Sequence, residues 1–333
     1  MGGNALKNYG CERVDLITYE RIKLYVIERL SPFFDKIKVP LSLSDKKDHG
    51  DIDIICIPRI QNIVEKIQEI FSPRKIIKNG SIYSFNVENL QIDLICETEE
   101  NYAIHSLFLD FGDFSMILGR VSRLYKLKYG IDGLSLPIRD PVDDHVIEVV
   151  PISKDLRKIL TFFGYDAEAY FRGFKRKEEL RNFVFSSKKI NQGFLTKDSE
   201  NCTHRKRDRK REAYKEIYAW FQENREKFPP KPEEEPFIDL LNEVDLFFPE
   251  SQVKDQYFAA LKQIDRVKRA REKFSGDYVA SFLDISGKEL GLVMEKFSRK
   301  FSNKEEKVDF VLNTDILTLN KEIREINEET KSI

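Results

Sequence analysis

The chain has 333 residues, of which 41% are hydrophobic and 34% charged, with a formal net charge of −1 at pH 7. That size gives room for two or three domains and a sizeable core, and the charge density calls for solvated, salt-bridged surfaces. No apolar run approaches membrane-spanning length, no signal-peptide pattern opens the sequence, and the four cysteines (Cys11, Cys56, Cys96, Cys202) form no C-x-x-C pair; these features predict no membrane and no zinc site, and fit a cytoplasmic, reducing setting.

Residues 15–34 carry apolar positions at helical spacing (Ile17, Ile22, Tyr25, Val26, Leu30), which predicts a helix packed on a strand over 37–43. Leu41-Ser42-Leu43-Ser44 closes that strand with hydroxyl residues, and Asp45-Lys46-Lys47-Asp48-His49 reads as a polar connection in which His49 orients the turn. Gly50-Asp51-Ile52-Asp53 then runs straight into Ile54-Ile55-Cys56-Ile57. Strand side chains alternate faces, so Asp51 and Asp53 point the same way from what reads as a buried strand, and Gly50 gives the strand a tight entry. Two anions so close repel and lose hydration, a cost that divalent cations offset.

Pro58 is expected to open a second helix with Ile60, Ile63, Val64, Ile67 and Ile70 as its apolar stripe. Asn79-Gly80 predicts a hairpin turn, and Glu88-Asn89 returns the chain into Gln91-Ile92-Asp93-Leu94-Ile95-Cys96. Asp93 is a third carboxylate among apolar strand residues. Cys56 and Cys96 fall inside core strands, where a thiol packs as a small hydrophobe.

The hydroxyl-ended strand, the polar loop, the Asp-x-Asp of Asp51 and Asp53, and Asp93 on a later strand together resemble the nucleotidyltransferase superfamily of polymerase β, poly(A) polymerases and CCA-adding enzymes. The likeness covers roughly the first 100 residues, and the superfamily's Gly-Ser pair corresponds to Leu41-Ser42, without the glycine. It implies an α+β fold, a mixed β-sheet with packed helices followed by all-helical C-terminal regions. It also implies Mg²⁺ or Mn²⁺ on Asp51, Asp53 and Asp93, and an NTP whose phosphates meet Ser42, Ser44 and Gly50. The stretch 115–129 reads as a basic amphipathic helix, and the resemblance places its Arg120 and Lys126 over the triphosphate.

Further on, Leu134–Ile138 and Val146–Val150 read as strands, and helical patterns follow from Ser153. Arg205, Lys206, Arg207, Arg209, Lys210 and Arg211 form a basic cluster suited to phosphate contacts, with Tyr214, Trp220 and Phe221 downstream as stacking surfaces. The Pro229–Pro236 segment reads as a stiff linker. Three regions are expected: a catalytic domain over 1–150, a helical domain with the basic segment over 151–228, and a helical domain over 237–333. The favoured activity is NMP transfer from NTP to a hydroxyl, the 3′ end of an RNA, without a template. Adenylylation of a small molecule or protein, synthesis of a signalling oligonucleotide, and a non-catalytic nucleic-acid-binding module are the alternatives.

Overall fold

The computed structural model describes residues 5–46, 48–112, 114–139, 145–196, 212–232 and 236–331. The protein is α+β and divides into two compact units, Met1–Val253 and Lys254–Ile333. The linker expected at Pro229–Pro236 lies inside the first of these units.

The first unit is built on a five-stranded mixed sheet of order β2-β4-β7-β6-β5, with β2 at Phe34–Lys38, β4 at Asp51–Pro58, β5 at Ile76–Asn79, β6 at Ile82–Val87 and β7 at Leu90–Cys96. β4 and β7 run parallel, and the other neighbours are antiparallel. Two helices cover one face: α1 (Leu16–Leu30) and α2 (Ile63–Phe71). Asp15 starts α1 by accepting a hydrogen bond from the Thr18 N–H at 2.8 Å, and Tyr19, Ile22, Val26 and Leu30 form its buried stripe. That stripe and Ile63 and Ile67 of α2 meet Ile52, Ile54, Phe85, Ile92 and Leu94 in one core. The period of two leaves Asp51, Asp53, Gln91 and Asp93 on the other face.

Several boundaries differ from the sequence reading. The strand expected over 37–43 is β2 at Phe34–Lys38, because the backbone beyond Pro40 leaves the sheet and the Leu41 N–H bonds to Asp110 Oδ1 at 2.7 Å. Pro58 ends β4 and opens no helix; α2 starts at Ile63. Both turns are as read: Gly80 and Glu88 take positive φ at +60° and +53°, joining β5 to β6 and β6 to β7.

Next come α3 (Glu99–Phe108), α4 (Phe114–Leu124) and a three-stranded antiparallel sheet of β8 (Lys128–Gly130), β9 (Gly133–Arg139) and β10 (Val146–Ser153). The basic helix expected to reach residue 129 stops at Leu124. Leu127 N–H folds back to the Ser122 carbonyl, Lys126 sits at φ +56°, and Lys128 begins β8. Short helices α5 (Leu156–Phe162), α6 (Ala167–Arg172) and α7 (Lys177–Val184) follow, then α8 (Glu212–Asn224) and α9 (Phe237–Phe247). Their interior is aromatic: Phe114, Tyr165, Tyr170, Phe174 and Phe183 stand with ring centroids 4.9–6.3 Å apart.

The second unit is helical, with its own core around Phe274, Val279, Val293, Phe297, Leu319 and Ile323. Ser286, at the start of the Gly287–Arg299 helix, takes the N-cap position without a side-chain cap bond. Among the described residues no helix is long and apolar enough to cross a membrane.

Candidate metal centre

The parallel register of β4 and β7 sets Asp53 opposite Asp93 and Asp51 opposite Gln91. Paired residues of a parallel ladder face the same side, so the three carboxylates converge without help from any loop. One oxygen from each of Asp51, Asp53 and Asp93 lies within 4.8 Å of the others. All three side chains are half-buried.

The electrostatics follow from that crowding. Burial, with the charges of Asp51 and Asp93 adding to it, pushes the Asp53 carboxyl up to about 7. Burial also raises Asp93, against hydrogen bonds from Ser84 and Gln91 that hold it down. Gln91 Nε2 donates to both Asp93 oxygens at 2.9 Å, while its Oε1 accepts the Leu6 backbone N–H at 3.0 Å. Ser84 sits opposite Asp93 on β6. Asp93 is therefore held by a strand neighbour on one side and an i−2 amide on the other, which fixes its orientation.

The chemistry of the donor set fits a divalent cation. Three oxygens and no sulfur or imidazole nitrogen suit a hard ion such as Mg²⁺ or Mn²⁺. A doubly positive charge would offset the burial, and the repulsion from Asp51 and Asp93, that raise the Asp53 carboxyl.

The other expected site residues are placed elsewhere or serve the fold. Ser42 is exposed and lines a groove of about 400 Å³ with Tyr19, Lys23, Leu24 and Val39, on the α1 side of the sheet. The Ser44 hydroxyl and its N–H both donate to the Lys175 carbonyl, at 2.8 and 2.9 Å, and so dock the loop onto the helical part. Gly50 is the buried link between β3 (Asp48–His49) and β4.

Arg120 is only 4% exposed on α4, its guanidinium 6.0 Å from the Tyr214 ring. It is a packed core cation, which corrects its expected place on a phosphate-facing surface. Lys126 lies past the helix end with its ammonium 5.6 Å from the Phe237 ring. The six cations Arg205, Lys206, Arg207, Arg209, Lys210 and Arg211 lie outside the described residues. The aromatic residues after them pack against the fold: Tyr214 and Phe221 are buried, and the part-buried Trp220 stacks on Phe185 at 4.2 Å. For Tyr214 and Phe221 the expected role as stacking surfaces for bases gives way to packing.

His49 pairs with Val14 of β1 (Val14–Asp15) and stacks on Tyr19 with ring centroids 3.8 Å apart. Burial brings its pKa down to about 4, so the ring is neutral at pH 7, and its Nε2 is buried with no hydrogen-bond partner among the described residues. Gln91 and Ser84 are additions to the expected site residues. The Gln91-Ile92-Asp93 alternation does carry the signal for Gln91, since it places the amide on the acid's face.

No protein-family model matches the chain and no curated protein matches it, so its activity is argued from side-chain chemistry.

Proposed function

We propose that the chain is a divalent-cation-dependent nucleotidyltransferase that moves an NMP from an NTP to a hydroxyl, with an RNA 3′ end as acceptor. The observation that carries this reading is the convergence of Asp51, Asp53 and Asp93 within 4.8 Å across one parallel strand pair. Bound there, a pair of Mg²⁺ ions would polarise the attacking hydroxyl and neutralise charge on the departing pyrophosphate.

The chain's own part is binding and alignment. Asp51 and Asp53 supply oxygens from one strand, so their spacing is set by the backbone. Asp93, clamped by Gln91 and Ser84, faces the same space from the neighbouring strand. The acceptor oxygen bonds to the α-phosphorus as the bond from that phosphorus to the pyrophosphate oxygen breaks. Asp93, whose affinity for protons is raised by burial, would take the hydroxyl proton. The RNA acceptor is supported by the six cations between Arg205 and Arg211, which could neutralise several phosphates.

The test uses each labelled NTP with Mg²⁺ or Mn²⁺, with and without total RNA. RNA extension that falls at least ~100-fold in Asp51→Asn, Asp53→Asn and Asp93→Asn is the expected result. Short products made from NTP alone, or label on a protein or small acceptor, would move the acceptor and keep the chemistry. Turnover that survives all three substitutions ends the proposal.

A further inference from the structure

Cys56 and Cys96 stand opposite each other across the same β4–β7 seam, their Sγ atoms 3.8 Å apart. They are 40 residues apart in sequence, and each lies three positions beyond a centre acid, Asp53 or Asp93, so both thiols sit on the sheet face turned away from the carboxylates. Neither is in a disulfide. Adjacent strands run ~4.8 Å apart, within the ~4.4–6.8 Å between Cα atoms that a disulfide spans. Closing the bond asks the sulfurs to move from 3.8 Å to the ~2.05 Å of an S–S bond, chiefly by side-chain rotation.

The two thiols differ in a useful way. Cys56 is fully buried, whereas Cys96 ends its strand and is part-exposed. The neighbouring Cys56 thiol and the Lys78 charge draw the Cys96 thiol below its usual range, while Cys56 is pushed up. One sulfur can be reached and ionises first; the other waits beside it.

We propose that Cys56 and Cys96 are a reversible oxidation site, forming a cross-strand disulfide on reaction with a peroxide. The Cys96 thiolate attacks one peroxide oxygen, the O–O bond breaks, and Cys96 becomes a sulfenic acid as the other oxygen leaves as water. The Cys56 sulfur then attacks the sulfenic sulfur, the S–O bond breaks, and a second water departs with the Cys56 proton. Two thiols and one hydrogen peroxide give one disulfide and two waters, the two electrons passing from sulfur to oxygen. A thiol reductant reverses the change by exchange. The bond would tie the two strands that carry Asp53 and Asp93, whatever reaction those acids serve.

The test is on the full-length reduced protein, treated with hydrogen peroxide, alkylated, digested without reductant and read by mass spectrometry. The expected result is a linked peptide joining Cys56 to Cys96, lighter by two hydrogens, with the loss of two alkylatable thiols that dithiothreitol restores. Cys56→Ser should lose the link and gain a dimedone adduct at Cys96. Binding of phenylarsine oxide, which requires two adjacent thiols, reads the same pair in the wild-type protein if the variant fails to fold. Sulfinic acid on Cys96 without a link, or a link from either residue to Cys11 or Cys202, overturns the proposal.

Discussion

Asp53 and Asp93 face each other across two parallel strands, paired residue to residue in the ladder. A sheet in this geometry cannot separate them without breaking register, and a one-residue slip of either strand would turn that strand's acids into the apolar core. Their repulsion thus adds to the cost of burying Asp53 that is built into the fold, and the sum should be measurable as a loss of stability.

Substituting Asp53→Asn should stabilise the cation-free protein above neutral pH. The folded-state pKa of Asp53, about 7, lies above its ordinary value of 3.8. Between those values the folded state holds a proton that the unfolded state has lost, so wild-type stability falls as pH rises from about 4 through about 7. At higher pH the penalty is complete and on the order of 2 kcal/mol after allowance for screening; below the ordinary value it is absent. Melting temperatures measured at about pH 4.5 and about pH 8 should show the variant's advantage at the higher pH only. Added Mg²⁺ should raise the wild-type melting point at the higher pH and leave the variant's nearly unchanged. An advantage of equal size at both pH values would contradict this account.

Gln91 is the residue whose loss should separate orientation from charge. Gln91→Leu leaves the buried Leu6 N–H without its acceptor and Asp93 without two donated hydrogen bonds. A stability loss of about 1–3 kcal/mol is expected, with Mg²⁺ affinity weaker by roughly tenfold although all three acids remain. Calorimetric titration of Mg²⁺ into a variant shown to be folded by circular dichroism checks it. Unchanged affinity would assign Gln91 to the fold alone.

Asp110 anchors the segment after β2. It is 1% exposed, and its carboxylate takes the Lys38 ammonium at 2.8 Å and the Leu41 N–H at 2.7 Å. Asp110→Ala removes both acceptors at once; because Lys38 can turn to water, the expected cost is on the order of 2 kcal/mol. Asp110→Asn, which keeps an oxygen for Leu41, should cost less. Hydrogen exchange should quicken at residues 41–46 in the alanine variant before it changes in β4. Uniform exchange across both segments would show that Asp110 supports the whole sheet.

The sheet and its acid face are legible because strand alternation is strict: Asp51, Asp53 and Asp93 need only the period of two and a parallel pairing of their strands. The helical part is not. Helical spacing tells which face of α4 is apolar, but not that Arg120 sits within it over Tyr214, a partner 94 positions along the chain whose ring lies 6.0 Å away. Ser44 reads as a free hydroxyl until the Lys175 carbonyl, 131 residues on, accepts its hydrogen bond. The end of α4 escapes the pattern for a local reason. Lys126 takes a left-handed backbone that lysine seldom adopts, in a turn that leads into the β8–β9 pairing. Cys56 and Cys96 each read as an isolated core thiol because their proximity comes from register.

The loop between β2 and β4 is stitched to the helical part at two adjacent residues: Ser44 to the Lys175 carbonyl, and Asp45 to the Lys177 N–H at 2.9 Å, where α7 begins. A molecule that reshaped this loop would therefore pull on α7, and displacement of α7 would in turn retension the stretch of chain leading into the acid strand. Whatever is recognised at one end of this tether is felt at the other.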